Sequence, residues 1–122
     1  MAKIMVVDDS ATVRAQVSRA LTQAGFETVQ AVDGLDAFNK VTTSDADVAL
    51  IVCDVNMPNM SGIEFLEAAK GRGLSAPVLM LTTEGQPQLM QRAKAAGARA
   101  WIIKPFKAEI LIEAAKKLAN AA

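Results

Sequence analysis

Five short apolar runs alternate with segments whose apolar residues recur at helical spacing. That alternation constrains the fold more than anything else in the chain. KIMVV (3–7), ETVQAV (27–32), VALIVC (48–53), PVLMLT (77–82) and AWIIK (100–104) read as strands, short and mostly rich in β-branched residues. Ser10 caps a helix that runs to about Ala24, carries Val13, Val17, Ala20 and Leu21 on one face, and ends at Gly25. GLDAFNKVTT (34–43) has helical spacing at Leu35, Phe38 and Val41, and residues 62–70 carry Ile63, Phe65 and Leu66. Residues 87–97 form a helix with Pro87 in its first turn and Gly97 past its end, and 107–121 form the last helix. The result is (βα)5: a doubly wound α/β domain with a parallel sheet and helices on both faces. VALIVC is apolar throughout, as a strand covered on both sides must be. In such sheets, ligands bind beyond the carboxyl ends of the strands, at the switch in strand order.

Those strand ends collect one chemistry. The first run ends in Asp8 and Asp9, the third in Asp54, the fourth in Thr82 and Thr83, and the fifth in Lys104 followed by Pro105. Three carboxylates on one edge repel one another unless a cation compensates. A hard-oxygen set of this kind suits Mg2+, which takes few carboxylates and keeps waters or phosphate oxygens as its other ligands. Lys104 can hold a carboxylate or phosphoryl oxygen as a point charge, and the Thr82 hydroxyl can donate to another. No glycine-rich cradle accompanies them, which argues against a nucleotide. The simplest reaction is carboxylate attack on phosphorus to give an acyl phosphate, with Asp8 and Asp9 holding metal and Asp54 as nucleophile.

Length and charge narrow the class. The chain has 122 residues, enough for one domain with a real core, at 52% hydrophobic and 21% charged content. No apolar run approaches ~18 residues, and MAKIMVVDD lacks the length and cleavage site of a signal peptide, so a cytoplasmic protein is expected. The lone Cys53 reads as a small core residue in a reducing compartment. The absence of histidine excludes histidine acid/base catalysis, His-ligated zinc and phosphorylation on its own His. Net charge is zero, yet residues 1–85 carry 6 basic and 11 acidic groups, and residues 86–122 carry 7 and 2. The basic C-terminal third suits an acidic partner.

VVDDS (6–10), CDVNMPNMSG (53–62), LTTE (81–84) and KPF (104–106), in that order, resemble the receiver domains of two-component signalling, most nearly the stand-alone chemotaxis regulators of CheY type. The resemblance covers essentially residues 1–122 as a single receiver domain. It implies a flavodoxin-like three-layer sandwich with strand order 2-1-3-4-5. It further implies that Asp54 accepts a phosphoryl group from the phosphohistidine of a sensor histidine kinase. Asp8, Asp9, Asp54 and the backbone carbonyl of Asn56 would bind Mg2+, and Lys104 would contact a phosphoryl oxygen. Thr82 would couple phosphorylation to an aromatic at Trp101, Asn56 and Glu84 would tune phosphoryl lifetime, and the Lys104–Pro105 bond would be cis. A branched Thr83 beside an indole is expected to crowd any inward swing of Trp101.

The expected output is protein binding by a monomer, without nucleic acid or membrane. Met90 and Lys94 point away from the sheet on the fourth helix, and Ile112 is expected to be exposed on the last. With Arg99, Trp101 and Lys107 they make a docking face on the fourth helix, fifth strand and last helix, the face the family uses. Its target would be a flagellar or motility component, and a phosphatase is a further partner. The chain is then a phosphoacceptor with slow self-catalysed dephosphorylation, not an enzyme. A phosphorelay intermediate shares every motif. An Asp-nucleophile phosphatase would want a second Asp where Asn56 stands, and a flavin protein would want a hydroxyl-rich loop where VVDDSAT stands.

Overall fold

The computed structural model describes residues 2–43 and 48–119. Five strands, β1 (Lys3–Val7), β2 (Glu27–Ala31), β3 (Val48–Cys53), β4 (Val78–Thr82) and β5 (Ala98–Ile103), alternate with α1 (Ala11–Gln23), α2 (Gly34–Thr43), α3 (Gly62–Gly71), α4 (Pro87–Ala95) and α5 (Ala108–Ala119). The sheet is wholly parallel, in the order β2-β1-β3-β4-β5. Every expected element is present. β5 starts two residues earlier than its apolar run, and the last residues expected of α5 lie outside the described ones.

Period-two alternation divides each central strand between two cores. Ile4, Val6, Leu50, Val52, Leu79 and Leu81 face one side and pack with Val17 and Leu21 of α1 and Leu111 and Ala115 of α5. Met5, Val7, Ile51, Cys53, Val78 and Met80 face the other, against Ala37 of α2, Ile63, Phe65 and Leu66 of α3, and Ala93 and Ala96 of α4. Two helices therefore cover one face and three the other, and this is why β1, β3 and β4 carry no polar alternation.

Register then delivers the site. Val7 pairs with Cys53, so the next residues, Asp8 and Asp54, leave adjacent strands side by side, and Asp54 N donates to Val7 O at 3.0 Å. Thr82 pairs with Ile103, and Lys104 N donates to Thr82 O at 2.9 Å. The connection from β1 goes outward to β2 and the rest run the other way, so the chain parts between β1 and β3, above the two acids.

Candidate phosphoacceptor site

Asp8 and Asp54 are buried, with 3% and 8% of their surface exposed, while Asp9 faces solvent. One carboxylate oxygen from each lies within 4.8 Å of the others. Lys104 Nζ reaches between two of them, 2.8 Å from Asp8 Oδ2 and 3.2 Å from Asp54 Oδ2. Burial works against its ammonium, but the hydrogen bond to Asp8 and the charges of Asp54 and Asp8 outweigh it, and the pKa sits above the ordinary lysine value. Lys104 thus carries its charge at neutral pH, and the Lys104–Pro105 peptide is cis.

The two oxygens of Asp54 have different surroundings. Oδ1 accepts from Val55 N at 2.7 Å and Oδ2 faces Lys104. Beneath them the buried Cys53 donates its thiol to Asp54 O at 3.2 Å. Burial, followed by the charges of Asp54 and Asp8, pushes that thiol far above the usual range, so it packs as a neutral group. Three carboxylate oxygens so close together form an all-oxygen ligand set that fits a hard divalent cation such as Mg2+.

The rim is tied together. Thr82 is wholly buried and its hydroxyl accepts from Glu84 N at 3.2 Å. Asn56 Nδ2 donates to Glu84 Oε1 at 3.1 Å, joining the β3 and β4 loops across the mouth. Trp101 is half-buried against the α3–α4 core, and its indole N–H donates to Glu84 O at 2.9 Å. Thr83 corrects an expectation: it is exposed and lines a groove with Val13, Lys104 and Phe106 on the α1 side. Successive residues leaving a strand point to opposite faces, so Thr83 lies across the sheet from Trp101 and does not crowd it.

The 55–62 loop holds contacts the sequence reading passed over. Asp33, buried at 7% exposure, accepts from Asp36 N at 2.8 Å, which makes it the cap of α2, and from Asn59 Nδ2 at 2.7 Å. These bonds, to Asp36 first and Asn59 next, hold its carboxyl below the usual range against the cost of burial. Asn59 has φ 67°, and Gly34 N donates to Met60 O at 3.1 Å. A Cβ on Gly62 would lie 1.9 Å from Asp54 O, so this glycine serves close approach behind the nucleophile. Met57 and Met60 pack on the core as loop filling. The Asp33–Gly34 pair just before Leu35 was the readable signal of a capped helix start. Arg14 was also missed; its Nη1 donates to Asp8 O at 2.7 Å.

On the suggested docking face, Met90, Lys94, Arg99 and Lys107 are exposed, and Met90, Lys94, Arg99 and Trp101 line one shallow groove. Ile112 is a correction: it is half-buried on the α1–α5 core. The exposed isoleucines are Ile103 and Ile110. Leu111 is the centre of the α5 stripe, and its two flanks share the same periodicity. Only the packing of the sheet decides that Ile112 is covered and Ile110 is not.

Comparison with known proteins agrees with this geometry. Residues 4–116 match the response regulator receiver domain family. Over 114 residues the chain is 36% identical to the chemotaxis protein CheY1 of Helicobacter pylori strain J99, covering 91% of each chain. It is likewise 36% identical over 114 residues to the CheY homolog of Campylobacter jejuni, covering 91% of this chain and 87% of that one. The fold matches the chemotaxis protein CheY4 of Vibrio cholerae with a TM-score of 0.88 and 41% identity, over 97% and 98% of the two chains. A chain of the CheX–CheY–BeF3–Mg complex of Borrelia burgdorferi matches with a TM-score of 0.87 and 27% identity, over 92% of this chain and 84% of that one. The acidic strand ends, the lysine between them and the 2-1-3-4-5 sheet have one explanation: this chain belongs to the response regulator receiver family, and to its CheY-like members.

Proposed function

We propose that the chain is a phosphorylation-activated switch in which Asp54 takes a phosphoryl group from the phosphohistidine of a sensor kinase. The observation that carries this is the split setting of Asp54, with Oδ1 held by Val55 N and Oδ2 turned toward Lys104 beside two further acids. One oxygen is fixed and the other is presented, which orients the nucleophile before substrate arrives. Oδ2 attacks phosphorus; the new O–P bond forms as the histidine N–P bond breaks, and that electron pair stays on the imidazole nitrogen, which takes a proton. Asp8, Asp9 and Asp54, with the Asn56 carbonyl, would hold Mg2+, and the ion would neutralise charge on the transferring phosphoryl oxygens. Lys104 donates to a phosphoryl oxygen. The Thr82 O–H, whose oxygen already accepts from Glu84 N, is left to donate to another.

Return to rest is hydrolysis. Water attacks phosphorus, the bond to Asp54 breaks, and phosphate leaves. Asn56 and Glu84, bonded to each other at the mouth, control how that water enters. On this reading the chain is a phosphoacceptor and not an enzyme. The new charge at Asp54 draws Thr82 and the β4–α4 loop toward it and shifts the setting of Trp101. The readout is a partner bound on the α4–β5–α5 face, where exposed Met90 shares a groove with Lys94 and Arg99 and Lys107 is exposed just before α5, a mixture that suits an acidic amphipathic segment. The CheY relatives support placing this output in chemotaxis or motility control.

The test is phosphotransfer from a histidine-phosphorylated kinase. Label is expected to leave the kinase and appear on the wild type but not on Asp54→Asn. Equal label on both proteins would overturn the assignment.

A further inference from the structure

We infer that Arg14 is a positioning residue for the phosphoacceptor site, acting by holding the β1–α1 turn that carries Asp8 and Asp9. The inference rests on the metal-assisted reading of the site given above.

Arg14 stands in the first turn of α1, where the helix dipole disfavours a cation. That turn holds no acid to compensate. The guanidinium instead spans two acceptors outside the helix. Nη1 donates to Asp8 O at 2.7 Å and Nε donates to Gln30 Oε1 at 3.1 Å. Gln30 is on β2, so one side chain ties α1 to the ends of β1 and β2. The bond to Asp8 is short and charge-assisted, the stronger class of hydrogen bond.

Asp8 shows what this tie achieves. Its N donates to Ala31 O at 3.2 Å, its Oδ1 accepts from Ser10 N at 2.9 Å, and its carbonyl accepts from Arg14. Three of its four polar atoms are fixed without using Oδ2, the oxygen that faces Lys104. Lys104 bonds the carboxylate oxygens themselves and so stands where a metal or phosphoryl group must come. Arg14 approaches Asp8 from the backbone side and competes with neither. Its planar fork serves both acceptors at once, and a lysine ammonium on a flexible stem does not reproduce that geometry. Partners that orient metal ligands from behind typically contribute 10–100-fold to metal affinity.

The experiment is Mg2+ titration of the intact protein, read by calorimetry, for wild type, Arg14→Lys, Gln30→Ala and Asp9→Asn, with a thermal melt of each. Arg14→Lys keeps the charge and loses the fork. It is expected to weaken Mg2+ binding by about tenfold or more, with a melting temperature close to wild type. Gln30→Ala leaves Arg14 one anchor and is expected to weaken Mg2+ binding severalfold, which keeps the inference falsifiable if the Arg14 variant fails to fold. Wild-type affinity in a folded Arg14→Lys, or in Gln30→Ala where Arg14→Lys does not fold, would overturn the role of Arg14 alone. Wild-type Mg2+ binding that Asp9→Asn leaves unchanged would overturn the reading of the acidic site itself.

Discussion

Asp54 works because of what lies behind it. The chain turns so closely there that Gly62 has no room for a side chain, and a Cβ would meet Asp54 O at 1.9 Å. Gly62→Ala is therefore expected to destabilise the fold toward the upper end of the ~1–3 kcal/mol typical of overpacking, read as a lower urea midpoint. Gly71→Ala, at the end of α3 with nothing within 4 Å, is the control and should be neutral or stabilising by about 0.4–1 kcal/mol. Trp101 makes a second residue-scale prediction. Its indole N–H is already donated to Glu84 O, so beryllofluoride with Mg2+ should change its fluorescence only modestly. A strong quench with a large blue shift would mean that the indole moves to a new environment. The sequence pointed to crowding by Thr83 as what confines Trp101; the structure supplies a different cause, because Thr83 lies on the other side of the sheet.

Between elements, the Asp33–Asn59 bond joins the start of α2 to the loop that follows the nucleophile. Asp33→Ala loses both the helix cap and this bond, and should cost about 1–2 kcal/mol at neutral pH. The folded-state pKa of Asp33 is lowered by Asp36 N and then Asn59. Its contribution is therefore complete above the unfolded value of about 3.9 and is lost as pH falls through the lower folded value. The stability gap between wild type and Asp33→Ala should stay constant from about pH 5 to 7 and shrink below about pH 4. A gap that widened on acidification would contradict this. The element scale also shows why such contacts escaped the sequence. Val7, Cys53 and Lys104 could be placed because strand ends follow from local pattern. Arg14, Asp33 and Gly34 matter through partners 6 to 26 residues away, which no local pattern encodes. β5 began earlier than its apolar run because Ala98 and Arg99 lie on an edge strand, where burial does not demand large apolar residues.

For the whole molecule, the legible part was the architecture and the unreadable part was the flanks. Continuous apolar runs in β1, β3 and β4 required covered faces, and two cores of alternating strand residues answer that requirement. The acids, Thr82 and Lys104 then had to meet, since parallel strands put all their carboxyl ends on one edge. Helix periodicity found the buried stripe of α5 but could not choose between Ile110 and Ile112, because sheet packing makes that choice. The receiver reading places chemistry at one edge of the sheet and partner binding on α4, β5 and α5 beside it. Its central claim is that Asp54 takes phosphorus with Mg2+. The most direct measurement is labelling by a small phosphodonor such as acetyl phosphate, with and without Mg2+, in wild type and Asp54→Asn. The account predicts label on the wild type only when Mg2+ is present and none on the variant; equal label on the two proteins, or label that is indifferent to Mg2+, would contradict it.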